Sequence, residues 1–396
     1  MNILQISTYD NKGGAARVAW MLKQELEKRN HKTSMFVAHK FSTSNNVYQI
    51  PSRITERLLS VALSSDLDFF QSDSILKTEE YKKADIIHCH NLHGYYFNLA
   101  TLQKMAGEKP VVWTLHDMWA ITPHCAHAFN GLLKKGFYQC PSRSIYPSIL
   151  WSNEKYLQWR KRNVYNSISF EIVAPSHWLK QKVKASILGN QRISLIYNGI
   201  NNTIFKKYPN REMRKKLSLP LDKKIITFVA QGGKDNPWKG WEHIEDIMSH
   251  YRQNKKVLFL CIGGNKTFNN DNIKHIPYIF DEFILAQYYS VSDLFLLTSL
   301  AENFPVAVLE AMACGIPVVC FDVGGVKEAV IHKENGYVVK HKDTKDLIYG
   351  INYVLDLTKG ESEMMSLNSI KRVKKHFTLK TMIDNYLNLY QSLIQK

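Results

Sequence analysis

Short apolar runs alternate with amphipathic stretches along the first half of the chain. Asn2–Ser7, Thr33–Ala38, Asp85–Cys89, Val111–Leu115, Ile172–Ala174 and Ser194–Tyr197 read as strands. The clearest helix between them is Ala15–Arg29. Val18, Met21, Leu22 and Leu26 fall on one face there, and Lys23, Glu25, Glu27 and Lys28 on the other. Strands alternating with helices predict a parallel sheet covered on both sides. The pattern restarts at Lys224–Ala230, with a glycine-rich loop, a helix from about Trp241, and strands at Val257–Ile262, Leu294–Thr298 and Val318–Phe321. The expected architecture is therefore α/β, with two Rossmann-like doubly wound domains, residues 1–200 and 201–377, facing a central cleft. Residues 201–222 read as the linker. Residues 378–396 form an amphipathic helix, with Met382, Tyr386, Leu389, Tyr390 and Leu393 on one side, expected to pack back on the N-terminal domain. Open α/β sheets bind ligands beyond the carboxyl ends of their strands, so two such sheets suit an enzyme with two substrates.

The strongest local signal lies between Ser299 and Glu310, where Glu302 and Glu310 flank Asn303-Phe304-Pro305-Val306. Asn303 suits a helix N-cap and Pro305 an early helical position. Gly315 can close the helix. Free N–H groups at such a helix start suit a diphosphate, and Glu302 beside them could accept bonds from sugar hydroxyls. Glu310, further along, could reach a second diol such as a ribose. The plainer alternative is two surface glutamates at a strand-to-helix junction. A second segment, Ala230-Gln231-Gly232-Gly233-Lys234-Asp235-Asn236-Pro237-Trp238-Lys239-Gly240, follows a strand. Its glycines let a phosphate approach the backbone, and its lysines supply positive charge.

The run from Glu302 through Val330 closely resembles the C-terminal signature of the retaining glycosyltransferases of family 4, a GT-B group with two glutamates at this spacing. The likeness extends more loosely to Gly13-Gly14, Thr114-Leu115-His116-Asp117-Met118-Trp119, Ala174-Pro175-Ser176 and Asn198-Gly199-Ile200. The segment His116–Trp119 is similar to that of bacterial polysaccharide-assembly members. The resemblance implies a nucleotide-sugar donor, UDP- or GDP-linked, on the C-terminal domain and a glycan or lipid-linked acceptor on the N-terminal one. It also implies transfer with retained anomeric configuration, no cofactor and no required metal. Lys239 matches the lysine that neutralises the departing diphosphate in the family. The family arginine is missing, and Gly233 stands in its place. Lys234 is the candidate substitute, although an ammonium cannot make the bidentate fork of a guanidinium.

His116, at a strand's carboxyl end, is expected near the donor sugar by resemblance, making it a catalytic candidate with Lys239 and Glu302. Gly14, Lys234, Asn303, Phe304, Pro305 and Glu310 complete the donor-side set. Gly13, His90, His93 and Asn198 are the acceptor-side candidates. The Gly13-Gly14 loop is not a dinucleotide fingerprint, and no acidic residue follows the second strand at Ala38-His39-Lys40, which argues against a dehydrogenase. His124, Cys125, His127 and Cys140 lie close in sequence but lack a paired spacing, so no metal site is expected.

Charge changes the picture last. The 396 residues carry 52 Lys+Arg and 35 Asp+Glu, a formal net charge of +17. Residues 1–198 hold 25 Lys/Arg against 14 Asp/Glu, and residues 199–396 hold 27 against 21. Such an excess suits nucleic acid, an anionic membrane or a phosphorylated substrate. No nucleic-acid-binding motif is present, so nucleic acid is not an expected partner. The excess sits on the acceptor half, in Lys134-Lys135, Arg160-Lys161-Arg162 and Lys180/Lys182/Lys184, beside Trp151, Tyr156 and Trp159. It reads as a peripheral membrane face or, more plainly, a solvated basic surface. No run approaches the ~20 apolar residues of a membrane span. The N-terminus does not read as a signal peptide. A cytoplasmic enzyme, peripheral at the inner face of the plasma membrane, is expected, with all six cysteines reduced. The competing class is a catalytically inactive basic subunit of a glycan-assembly complex. A nucleotide-sugar epimerase or phosphorylase on the same fold is a third reading.

Overall fold

The computed structural model describes residues 1–128, 131–229, 236–264, 269–270 and 272–395. The chain divides into two compact units, Met1–Tyr197 with Ile383–Lys396, and Asn198–Met382.

The first unit contains β1 (Asn2–Tyr9), α1 (Gly14–Lys28), β2 (Lys32–His39), β3 (Val47–Gln49), α2 (Ile54–Ala62), α3 (Glu79–Lys83), β4 (Ile86–Cys89), α4 (Leu99–Glu108), β5 (Val111–Thr114), β6 (Leu133–Lys134), β7 (Phe137–Tyr138), α5 (Glu154–Asn166), β8 (Glu171–Ala174), α6 (His177–Ala185) and β9 (Arg192–Leu195). Seven strands form one sheet in the order β3-β2-β1-β4-β5-β8-β9, and their pairings are parallel. Parallel strands covered on both faces need continuous apolar runs, which is why Ile3, Leu4, Ile6, Ile86, Ile87, Val112 and Trp113 are all buried. The strand order reverses between β1 and β4, a switch point where the loops after the two strands diverge.

The second unit begins with α7 (Asn210–Lys216) and β10 (Lys224–Val229), followed by α8 (Trp241–His250), β11 (Val257–Gly264), β12 (Asn269–Asn270), β13 (Ile273–Pro277), α9 (Glu282–Ser290), β14 (Leu294–Leu297), α10 (Val306–Ala313), β15 (Val318–Phe321), α11 (Val326–Ala329), β16 (Gly336–Val339), α12 (Thr344–Leu355) and α13 (Lys359–His376). Its sheet runs β12-β13-β11-β10-β14-β15-β16, parallel except for the β12–β13 pair. The last helix, α14 (Leu379–Ile394), supplies Ile383 onward to the first unit.

Several details depart from the sequence reading. The expected linker contains α7, because Arg214 is buried there and donates to Val291 O at 2.8 Å, Lys223 O at 2.7 Å and Asp293 Oδ2 at 2.8 Å. Asn303 does not cap a helix. The helix starts three residues later, after Pro305, whose backbone is extended at φ −74° and ψ 121°. Cys125 and Cys140 are joined in a disulfide, contrary to the expectation of six free thiols. The β6–β7 hairpin returns the chain so that their Cα atoms lie 5.9 Å apart, a proximity that local sequence does not show. Cys89, Cys261, Cys314 and Cys320 are free and buried. Lys161 is fully buried, so it is not part of a basic surface.

Candidate active site

In the second unit the chemistry gathers beyond the carboxyl ends of β10, β14 and β15. Lys239 ends a 3-10 turn, Pro237–Lys239, and its Nζ donates to Glu302 Oε1 at 2.8 Å. Both side chains are largely covered, Lys239 at 27% and Glu302 at 15% exposure. Among the described residues, the pair uses one of the ammonium's three donors. Two backbone clamps hold the lysine segment against the end of β14. Thr298 Oγ1 donates to Lys239 O at 2.8 Å, and Leu300 N donates to Trp238 O at 2.8 Å. Gly240, at φ +60°, lets this contact form, since a Cβ there would collide with Thr298 O. Gly324 does the same for the acid: at φ +56° it lies so close to Glu302 O that no side chain fits.

The residues after Glu302 are equally fixed. Gly325 N donates to Asn303 O at 2.8 Å, and Asn198 Nδ2 donates to Phe304 O at 3.0 Å. Phe304 packs against Phe377 with ring centroids 5.3 Å apart. Asn198, an acceptor-side candidate by sequence, is thus a buried support of the Glu302–Pro305 segment. Glu310 lies on the first turns of α10 at 1% exposure, where Tyr289 Oη donates to its Oε2 at 3.1 Å. Lys234 and the glycines at 232 and 233 lie outside the described residues.

In the first unit, Gly13 (φ +96°) precedes α1, and Gly14 begins it. The loops after β4 and β5 bring the histidines together. His90 Nδ1 and His116 Nε2 share a hydrogen bond at 3.0 Å, with the rings stacked at 5.3 Å. His93 Nε2 meets Asp117 Oδ2 at 2.7 Å, and Asp117 Oδ1 accepts from Trp119 N at 2.9 Å. Thr8 Oγ1, near the end of β1, donates to His93 O at 2.9 Å. His90 is fully buried and His116 partly so. Burial pulls the His116 imidazole down to about 4 and holds His90 well below its ordinary range, with neighbouring histidines adding to the effect at His90. Burial works against the Asp117 carboxylate, but the charge and hydrogen bond of His93 outweigh it and leave Asp117 below its ordinary value. A neutral imidazole can donate to or accept from a hydroxyl, which suits a sugar rather than a phosphate.

Sequence reasoning missed the support beneath these histidines. His88, buried on β4, bonds Thr114 Oγ1 at 2.8 Å and Tyr390 Oη at 2.6 Å, and Thr114 Oγ1 also meets Tyr386 Oη at 2.9 Å. The two tyrosines of α14 therefore close a buried polar network in this unit. Trp119 Nε1 donates to the buried Asp66 Oδ2 at 3.0 Å. Lys161 Nζ lies 3.8 Å above the Trp119 ring and donates to Thr122 O at 3.0 Å. Burial draws this lysine down to about 7, against the opposing pull of Asp66 and Asp117. No local signal marks Asp66 or Lys161. Asp117 was legible as the neighbour of His116.

Comparison with known proteins places this architecture. The profile described as Glycosyltransferase Family 4 matches residues 12–203, and that described as Glycosyl transferases group 1 matches residues 209–372. The two matches span most of the chain, which belongs to the family-4 glycosyltransferases and has their GT-B fold. It is similar to a putative colanic acid biosynthesis glycosyl transferase of Escherichia coli K12, 24% identical and covering 99% of this chain and 100% of that one. It is also similar to the N-acetyl-alpha-D-glucosaminyl L-malate synthase of Bacillus anthracis, 21% identical over 98% of this chain and 97% of that one. Among solved structures, sucrose-phosphate synthase from Thermosynechococcus elongatus superposes with a TM-score of 0.73 at 17% identity, covering 99% of each chain. Anabaena HepE in complex with UDP gives 0.71 at 18% identity, covering 99% of this chain and 100% of that one.

Proposed function

We propose that this glycosyltransferase moves a sugar from a UDP- or GDP-linked donor to a glycan or lipid-linked glycan in cell-surface polysaccharide assembly, with retained anomeric configuration and without a metal. The observation that carries the reading is the Lys239–Glu302 pair at the strand-to-helix junction before α10. Relatives named for colanic acid and, over 46% of this chain, for teichuronic acid biosynthesis support the polysaccharide reading. The HepE complexes with UDP and UDP-glucose support the donor class.

In this mechanism Lys239 stabilises the charge that develops on the departing diphosphate, together with N–H groups at the start of α10. Glu302 holds donor-sugar hydroxyls, and Glu310, oriented by Tyr289, holds the ribose. Asn303, Phe304 and Pro305 shape the donor loop, and Lys234 supplies a second cation. His116 contacts the donor sugar, with Gly14 near the donor phosphate. Gly13, His90 and His93 belong to the acceptor side. Among the described residues of the first unit's histidine cluster, the carboxylate, Asp117, is engaged by His93 and Trp119 N, which favours attack on the face the diphosphate leaves. The acceptor oxygen bonds to the anomeric carbon as the bond to the diphosphate breaks, and the acceptor's proton passes to a leaving phosphate oxygen.

A screen of UDP-, GDP- and dTDP-sugars, read as nucleotide release coupled to a glycosylated product, tests this. Turnover should survive a chelator, and the product anomer should match the donor. Wild-type turnover in Glu302→Ala would overturn the role of Glu302. No transfer from any donor would leave the inactive basic subunit.

A further inference from the structure

The helix α2 is turned the wrong way for a soluble surface. Ile54 is 80% exposed, Leu58 63%, Leu59 50% and Val61 37%, and Leu63 follows at 44%. Ile54, Leu58 and Val61 recur at helical spacing, so this is one outward face and not scattered exposure. The helix has one acid, Glu56, which is buried and accepts from the backbone N of Arg53 at 3.2 Å. Its remaining charges, Arg53 and Arg57, are both exposed. The outward side therefore carries leucines, an isoleucine and cations, with no exposed carboxylate.

A second segment continues the face. Leu150 is 66% exposed and Trp151 46%. Trp151 Nε1 donates to Ala62 O at 2.9 Å, and the backbone N–H groups of Leu150 and Trp151 both donate to Ser64 Oγ at 3.1 Å. These bonds fix Leu150 and Trp151 against the end of α2. Arg143, also exposed, reaches Leu150 O at 3.3 Å. Nearby Asp68 is neutralised by Arg160 at 2.9 Å.

We propose that α2 with Leu150 and Trp151 seats this enzyme on an anionic lipid bilayer. The inference rests on the proposed lipid-linked acceptor and names the surface that would bring the enzyme to it. Charge complementarity selects this occupant. An apolar stripe flanked by arginines matches acyl chains beneath anionic headgroups, and a tryptophan beside it suits the interface between them. A second copy of the same face would instead set Arg53 and Arg57 against their own like charges.

Cosedimentation of the full chain with vesicles tests the proposal, using phosphatidylcholine alone or mixed with phosphatidylglycerol. Wild type should partition at least about tenfold more onto the anionic vesicles, and added salt should weaken it. Ile54→Ser with Leu58→Ser should cut that binding about tenfold or more, and so should Arg53→Glu with Arg57→Glu. Circular dichroism should show that these variants remain folded. Lys239→Ala should keep wild-type vesicle binding while losing transfer, which separates docking from catalysis. No binding at low salt, or equal binding by wild type and the Ile54/Leu58 variant, overturns the proposal. A concentration-dependent dimer without vesicles that the same variant abolishes would assign the face to a second copy and overturn it too.

Discussion

The two units build on the same kind of sheet and arm its carboxyl ends differently. The second unit presents a charged pair, Lys239 and Glu302, partly open to solvent and held by backbone contacts at Gly240 and Gly324. The first unit presents His88, His90 and His116, buried or half-buried imidazoles kept neutral, backed by the α14 tyrosines. A charged pair at a partly open site can exchange partners with an arriving anion, because the anion replaces the carboxylate contact of the ammonium with another charge-assisted one. A buried imidazole network cannot accept a charge without losing solvation. The difference suits the proposed roles, a diphosphate at the charged pair and neutral hydroxyls at the imidazoles.

The largest expected effect lies in the charged pair. Lys239→Ala and Glu302→Ala should each lower turnover by about a hundredfold to a thousandfold, with melting temperatures close to wild type. Initial rates over the responsive donor measure this. Gly324→Ala should mimic the loss, because the added methyl must displace the Glu302 backbone. Normal rates in Gly324→Ala would show that the position of Glu302 is not critical.

The imidazole network should reveal itself in acid. His88 is held down to about 3 and His116 to about 4, both chiefly by burial, and His90 lies well below its ordinary range. Below pH 6.5 the unfolded chain takes up protons that the folded chain refuses. Stability is therefore unaffected above about pH 6.5 and falls as the pH drops toward 4, by up to about 1.4 kcal/mol per pH unit for each histidine. Urea titrations from pH 7.5 to 4.5 measure the slope, and His116→Asn should flatten it by one proton's worth. A slope unchanged in that variant would remove His116 from the account.

A smaller effect isolates α14. Tyr390→Phe leaves a buried nitrogen of His88 without its partner at 2.6 Å and should cost about 1–3 kcal/mol in denaturant unfolding. Smallest of all, His116→Asn should lower turnover about tenfold, the value of one hydrogen bond to an uncharged hydroxyl. A loss as large as that of Lys239→Ala would erase the contrast between the two units.

Much of this was legible along the chain. Ten strand positions followed from apolar runs, with most boundaries moved by one or two residues, because parallel strands must be apolar on both faces, whereas β3, β12, β13 and β16 were not read from the sequence. Glu302 and Glu310 stood out because one local strand-to-helix junction holds both, and Lys239 because it closes the glycine-rich loop before the next helix. His116 and Asp117 were adjacent in one motif. The supports were not legible. Tyr390 lies 302 residues from His88, and Asp66 lies 53 from Trp119. Asn198 pointed to the acceptor by its motif, yet its side chain holds the carbonyl of Phe304.

The amino-acid sequence by itself determined the α/β class, the two sheets and the residue types at their carboxyl ends, because periodicity and strand-to-helix junctions are short-range properties. Only the tertiary structure decided which of those residues are charged, neutral, exposed or buried. It held His88, His90 and His116 neutral, buried Lys161, joined Cys125 to Cys140 and turned the apolar face of α2 outward. Solvation and partner geometry set these properties, and they depend on neighbours that the chain brings in from far away.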